Sequence, residues 1–269
     1  MTMPIDSARP IRIAVQIQPQ HGEYAQLRDM VLTAEELGVD IVYNWDHFFP
    51  LMGDPEGKHF ECWTMLGSMA EMTTSVEIGA LVTCNTYRNP DLLGDMARTV
   101  DHISGGRLIL GIGAGWFEKD HDRFGYRFGT APDRLRAMAV DLPRTIARMA
   151  AGNPAPTRRI PVLVGGGGEK VTLRIAAQHA DTWHGFGDAD VMRHKNTVLD
   201  EHCRAIGRDP GEIERSAGVN PKRIGSGDDM IAAGITQLTL GMDTRTWDPA
   251  AIRSWVAWRD ERNAMRMAP

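Results

Sequence analysis

The sequence predicts a (β/α)8 TIM barrel, and three observations lead there. Eight short runs rich in β-branched and apolar residues alternate with stretches of helical periodicity along the chain. The 269 residues are the length such a barrel takes. No repeat, low-complexity tract or linker interrupts the alternation, so residues 1–269 are expected to form a single domain. A doubly wound open sheet is the competing architecture. It would gather the ligand-binding loops at one switch point instead of around a ring.

The first strand candidate is IRIAVQI (Ile11–Ile17), followed by helical spacing over Tyr24–Leu37. DIVYNWD (Asp40–Asp46) and VEIGALV (Val76–Val82) give the second and third strands. The segment Pro90–Ile103 then repeats the helical spacing and runs into Gly105-Gly106, a plausible C-cap ahead of the fourth strand RLILGIG (Arg107–Gly113). AGNPAPTRRIP (Ala151–Pro161) reads as a loop entering the fifth strand, PVLVGG (Pro161–Gly166). TWHGFG (Thr182–Gly187), IERSAGV (Ile213–Val219) and QLTLGM (Gln237–Met242) complete the set.

Bulk composition narrows the function classes. Hydrophobic residues make up 42% and charged residues 24%, ordinary for a globular chain with a sizeable core. A net charge of −5 without a long basic run argues against a nucleic-acid partner. The opening MTMPIDSARP lacks a secretory pattern and no apolar run reaches membrane-spanning length, so a cytoplasmic location is expected. The three cysteines and nine histidines form neither CxxC nor HExxH, so neither a disulfide framework nor a metal site is expected.

In such a barrel the chemistry sits at the C-terminal strand ends. Asp46 and His47 close NWDHFF there, and histidine moves protons near neutral pH. A simple buried hydrogen-bonded pair is the equally open alternative. LVTCNTYRNP ends the third strand, and Val82 to Asn85 would suit the face of a flat aromatic ligand. An ordinary strand-to-helix loop is the plainer reading of the same residues. GIGAGW ends the fourth strand, where Gly113 and Gly115 let backbone approach a ligand and Trp116 adds apolar surface. The dinucleotide fingerprint GxGxxG is not satisfied there. Four glycines, Gly165 to Gly168, then precede the helix-like EKVTLRIAAQHA, expected to begin immediately after them. Helix N-terminal N–H groups behind side-chain-free residues make an anion site, here read as one for a cofactor phosphate. No GK[ST] follows, which excludes a Walker A loop.

The stretches Thr86–Gly125 and Val164–Gly187, with DIVYNWDHFF, resemble the bacterial luciferase-like oxidoreductases. The pattern GGGGE…TLR…A…AD is most similar to the branch that uses coenzyme F(420), an 8-hydroxy-5-deazaflavin with a phosphate-linked tail. The resemblance implies a luciferase-like barrel, often dimeric, with the ring over the strand C-termini. It implies a non-proline cis peptide behind the ring, at Val82–Thr83. It places Asp46 and His47 beside the reactive ring, with Val82, Thr83 and Cys84 lining it. Gly113, Ala114 and Gly115 would touch it through backbone, and Gly165, Gly166, Gly167 and Gly168 would hold the phosphate. Sugar-phosphate dehydrogenases of this branch carry an acid directly after the fourth-strand glycines. Here Trp116 stands in that place and Glu118 follows two residues on, so both join the catalytic candidates. The expected reaction is hydride transfer between F(420) and a small, apolar or aromatic substrate. An FMN-dependent monooxygenase and a non-catalytic cofactor-binding protein are the alternatives.

Overall fold

The computed structural model describes residues 9–267. Among these residues nine parallel strands make the sheet: β1 (Arg12–Ile17), β2 (Ile41–Asn44), β3 (Glu77–Ala80), β4 (Thr83–Cys84), β5 (Leu108–Gly113), β6 (Val162–Gly165), β7 (Thr182–Gly185), β8 (Glu214–Val219) and β9 (Gln237–Met242). Their order is β3-β2-β1-β9-β8-β7-β6-β5-β4, and a further β3–β5 pairing closes the ring. Eight staves result, because β3 and β4 both pair with β5 and share one position. The open-sheet alternative is thereby excluded.

Among the described residues nine α-helices surround this barrel: α1 (Tyr24–Glu36), α2 (Cys62–Met72), α3 (Pro90–Ser104), α4 (Glu118–Phe124), α5 (Ala131–Ala151), α6 (Thr172–His179), α7 (Ala189–Ala205), α8 (Ser226–Ala232) and α9 (Pro249–Met267). Local chemistry sets several ends. Asn89 accepts from the Asp91 and Leu92 amides with Pro90 in the first turn, so α3 starts there. Gly105, at φ +64°, stops it in the left-handed conformation. Thr130 and Asp133 form a capping box that opens α5. Among the described residues no helix is long and apolar enough to cross a membrane.

The main core lies between helices and barrel, built from residues such as Ile13, Leu66, Leu110 and Trp255. A smaller cluster of Ala14, Ile41, Tyr43, Leu81, Ile109 and Leu163 fills the barrel itself. Its N-terminal end is plugged by ions: Arg12 reaches Glu77 at 2.7 Å and pairs with the buried Glu214.

The gap between β3 and β4 shapes the other end. The β2–β3 ladder runs on to Leu81, whose N–H donates to the Asn44 carbonyl at 2.8 Å. The chain leaves the sheet only after that bond, and the non-proline cis peptide is Leu81–Val82. The expectation of Val82–Thr83 is corrected by one residue for this reason. Val82 then folds across the neighbouring strands. A Cβ on Gly113 would stand 2.7 Å from Val82 Cγ2, and one on Gly165 would stand 2.8 Å from Val82 Cγ1. These two positions are glycine because Val82 occupies the space a side chain would need.

Gly165→Ala should therefore destabilise the fold by about 1–3 kcal/mol, as overpacking does. Gly167→Ala meets nothing within 4 Å, so it should stay within about 0.5 kcal/mol of the parent. Urea midpoints of both variants check this. Equal stabilities would mean that Val82 does not constrain Gly165.

Candidate active site

At the C-terminal mouth lies a cavity of about 390 Å³, walled by Trp45, His47, Thr83, Cys84, Trp116 and Phe186. Asp46, Val82, Gly113, Ala114, Gly115, Gly165 and Gly166 also line it. Trp116 and Phe186 stand at its rim, 63% and 66% exposed. A second lobe of about 290 Å³ shares Gln16, Leu81, Val82 and Phe186 with the first.

Asp46 is buried just past β2, and both of its oxygens are taken. Arg88 donates to Oδ2 at 2.5 Å and to Oδ1 at 2.9 Å, while the Cys84 amide donates to Oδ2 at 2.9 Å. Burial opposes the Arg88 charge, but Asp46 outweighs it and holds the guanidinium pKa above its ordinary value. A second acid, Glu61, accepts from Arg88 Nη2 at 2.8 Å. This network ties the end of β2 to β4. It leaves no carboxylate oxygen of Asp46 free of a partner.

His47 has a different partner. Its Nδ1 lies 2.8 Å from Oδ2 of the buried Asp120, on α4. Tyr87 donates its hydroxyl to the same oxygen at 2.8 Å, and the Phe48 amide donates to Oδ1 at 3.2 Å. An ionised carboxylate only accepts, so the neutral His47 carries its proton on Nδ1. Nε2 is left with its lone pair, on a ring that lines the cavity. Trp45, Trp116 and Phe117 meet the imidazole edge-on at 5.5–5.7 Å between centroids. Trp45 is held in turn, donating Nε1 to His59 Nε2 at 2.9 Å. Burial, with His47 nearby, lowers the His59 pKa to about 4, so it remains an acceptor at neutral pH.

Next to Asp120, the buried His121 bonds the Phe117 carbonyl through Nδ1 at 3.0 Å and Thr86 Oγ1 through Nε2 at 2.7 Å. Burial pushes the Cys84 thiol up to about 11, so it is not a thiolate at neutral pH. Thr83 keeps a buried hydroxyl without a partner among the described residues.

Not all sequence candidates converge. Glu118 is exposed on the first turn of α4 and does not line the cavity, whereas Asp120 faces inward. Sequence reasoning missed Asp120 because EKDHDRF offers carboxylates at three positions and a seven-residue helix is too short for periodicity to choose among them. Gly167 and Gly168 lie outside the cavity lining. The helix after the glycines starts at Thr172 and not directly behind Gly168, a second correction. An intervening turn, closed where the Leu173 amide donates to the Gly168 carbonyl at 3.0 Å, displaces it. Lys195, from α7, reaches the Gly167 carbonyl at 2.9 Å and Glu169 at 2.5 Å. Nothing in the sequence around Lys195 links it to the glycine turn, since the two are joined only by folding.

The chain belongs to the luciferase-like monooxygenase family, whose pattern matches residues 3–221. It is 39% identical over 94 residues to an F(420)-dependent glucose-6-phosphate dehydrogenase of Amycolatopsis mediterranei, a match spanning 33% of this chain and 27% of that enzyme. Among solved structures, it resembles an F(420)-dependent secondary alcohol dehydrogenase in complex with an F(420)-acetone adduct. That likeness has a TM-score of 0.80 at 15% identity, covering 91% of this chain and 97% of the other. The FMN-bound oxygenating constituent of 3,6-diketocamphane monooxygenase from Pseudomonas putida matches with a TM-score of 0.63 at 14% identity, covering 77% and 67%. These two likenesses establish the shared fold.

Two histidines, the half-buried His59 and the buried His184, make stability pH-dependent. Burial lowers both His59 and His184 to a pKa of about 4, against 6.5 when unfolded. Between those values the unfolded chain binds protons that the native state excludes, so stability falls as pH drops through that window. The slope should approach about 1.4 kcal/mol per pH unit for each histidine. Urea midpoints of wild type and His59→Gln check this, the variant losing one histidine's share. An unchanged slope would place the His59 imidazole in water.

Proposed function

We propose that the chain is an oxidoreductase that moves a hydride between coenzyme F(420) and a small substrate with apolar or aromatic surface. The observation that carries this reading is the orientation of His47. Asp120 fixes its proton on Nδ1, leaving Nε2 as a base in a cavity walled by aromatic side chains. The residues fit a deazaflavin. Val82, set over Gly113 and Gly165, gives a flat floor without protruding side chains, and the unpartnered Thr83 hydroxyl lies beside it. The turn Gly165–Gly168, with Lys195 at the Gly167 carbonyl, would take the phosphate. When bound, the deazaflavin supplies the carbon that accepts or gives the hydride.

His47 Nε2 would take the proton from a substrate hydroxyl on oxidation and return it to oxygen on reduction. Asp120 stabilises the imidazolium that forms. Asp46 would act through Arg88 by holding the β4 backbone beneath the ring. Trp116 and Phe186 at the rim favour a substrate with apolar surface over a sugar phosphate. Glu118, exposed and outside the lining, has no part in the proton transfer proposed here. The resemblance to the family adds a homodimer to this reading. An FMN-dependent monooxygenase is the second reading, favoured by the FMN-bound structure of the same fold.

Fluorescence titration separates the two readings: F(420) should bind more tightly than FMN, and the reverse order would move the assignment to the monooxygenase. Gly167→Asp should weaken F(420) binding while circular dichroism stays native, because open space surrounds that position and only charge is added. Unchanged affinity would mean that the turn is structural.

His47→Ala should keep most of the cofactor affinity and slow hydride transfer by about 10²–10⁴-fold, the usual cost of losing a positioned acid–base group. Anaerobic stopped-flow absorbance with a substrate found by screening gives the rate. A variant that reacts like wild type would reduce His47 to a packing residue.

A further inference from the structure

A second histidine faces the ligand space from the other side of the barrel. His184 on β7 lies in register with Ser216 on β8, which is in register with Gln237 on β9, itself opposite Arg12 on β1. The side chains of this row are hydrogen-bonded in sequence, and their donor directions can be worked out from one end.

Arg12 has no acceptor, so the atom that meets its Nη2 at 3.1 Å must be the Gln237 carbonyl oxygen. The Gln237 amide nitrogen is thereby turned the other way. It donates to Tyr43 Oη at 3.2 Å and to Ser216 Oγ at 3.0 Å. Ser216 is fully buried, and its hydroxyl hydrogen still needs an acceptor. Among the described residues that acceptor is His184 Nδ1, at 2.9 Å. Burial keeps the imidazole neutral at ordinary pH. A neutral ring that accepts at Nδ1 carries its proton on Nε2. Nε2 has no protein partner among the described residues.

His184 lines the second lobe together with Gln16, Leu81, Val82, Phe186 and Thr239. Two further polar groups there are uncommitted. The buried Thr239 hydroxyl has no partner among the described residues. Gln16 spends its amide nitrogen on the Leu81 carbonyl at 2.6 Å, leaving its oxygen as an acceptor. Among the described residues no lysine or arginine lines the lobe, which disfavours an anion. Leu81 and Val82 belong to both lobes, so the two adjoin and a ligand on the Val82 floor has room to reach this one.

We infer that His184 is a fixed hydrogen-bond donor, offering Nε2–H to a neutral carbonyl oxygen of the ligand in the second lobe. The inference rests on the proposed function. The carbonyl belongs either to the ring edge of the cofactor or to the substrate, and the experiment distinguishes these sources.

NMR of isotope-labelled histidines at neutral pH should show His184, assigned by its loss in His184→Phe, as the Nε2–H tautomer. Ser216→Ala should turn it into a mixture. An Nδ1–H tautomer in wild type overturns the inference. In fluorescence titrations His184→Phe should weaken F(420) binding about fivefold, the range of one net hydrogen bond, with His184→Gln recovering part of it. That result assigns the cofactor's carbonyl. If F(420) binds normally but cyclohexanone, added to the loaded protein, binds about fivefold more weakly, the carbonyl is the substrate's. If neither affinity changes, the inference fails. Should His184→Phe not fold, Ser216→Ala carries the same titrations. A wild type that binds no F(420) defeats the proposed function instead, and is recognised before any variant is made.

Discussion

The seating of Val82 against two glycine backbones is the constraint on which the mouth of this barrel depends. Between β3 and β4 the chain leaves the sheet for two residues and re-enters, so one stave is built from two pieces. Its cost is local: β5 and β6 must present glycine, because a Cβ at Gly113 or Gly165 would overlap the Val82 methyls. Gly111 is more tightly bound still, since a Cβ there would lie 1.9 Å from the Ala80 carbonyl oxygen. What results is an apolar floor at the barrel centre with backbone exposed on two sides. Re-entry at Thr83 also brings the Cys84 amide to Asp46, which fixes the height of β4 relative to β2.

Two buried carboxylates then divide the electrostatics between them. Asp46 is consumed by Arg88 and the Cys84 amide, so its charge holds architecture together. Removing one partner of such a buried pair typically costs about 3–5 kcal/mol, because the other charge is stranded. Asp120 is consumed by Tyr87, the Phe48 amide and His47, so its charge governs a proton. The chain placed Asp46 next to His47 in sequence, yet the imidazole answers to Asp120, 73 positions away. Adjacency along a strand end sends consecutive side chains in different directions, which is why neighbours in sequence need not be partners.

That divergence marks what could be read from sequence. Strand positions were legible since short apolar, β-branched runs report burial directly, and β9 matches its expected span, Gln237–Met242, end to end. His47 and the glycine-rich ends were legible as positions on the barrel mouth. Their reasons were not. The glycines at 113 and 165 suggested ligand approach, whereas the contact that demands them is Val82, a partner visible only once three strands are assembled. Asp120 and Lys195 escaped for the same reason: each acts on a distant element, and no local period encodes that. The cis peptide falls one residue earlier than expected because the β2–β3 ladder makes its last bond at Leu81, whose N–H donates to the Asn44 carbonyl, one residue short of the expected strand end at Val82.

The two histidines at the mouth show how the barrel sets proton direction with charges, Asp120 and Arg12, that lie outside the cavity lining. His47 bonds a carboxylate through Nδ1 and so turns a lone pair inward. His184 bonds a hydroxyl through Nδ1 and so turns a proton inward. The difference originates in what each Nδ1 meets. For His47 it is Asp120, held by Tyr87 and a backbone amide. For His184 it is Arg12, whose obligate donors orient Gln237 and, through it, Ser216. Arg12 belongs to the ion cluster that plugs the opposite end of the barrel, where Glu214 and Glu77 keep it in place. A group that looks like simple structural closure therefore sets the polarity of a side chain at the functional end. The closed barrel makes this possible, because adjacent strands in fixed register give hydrogen bonds an unbroken row along which to pass direction.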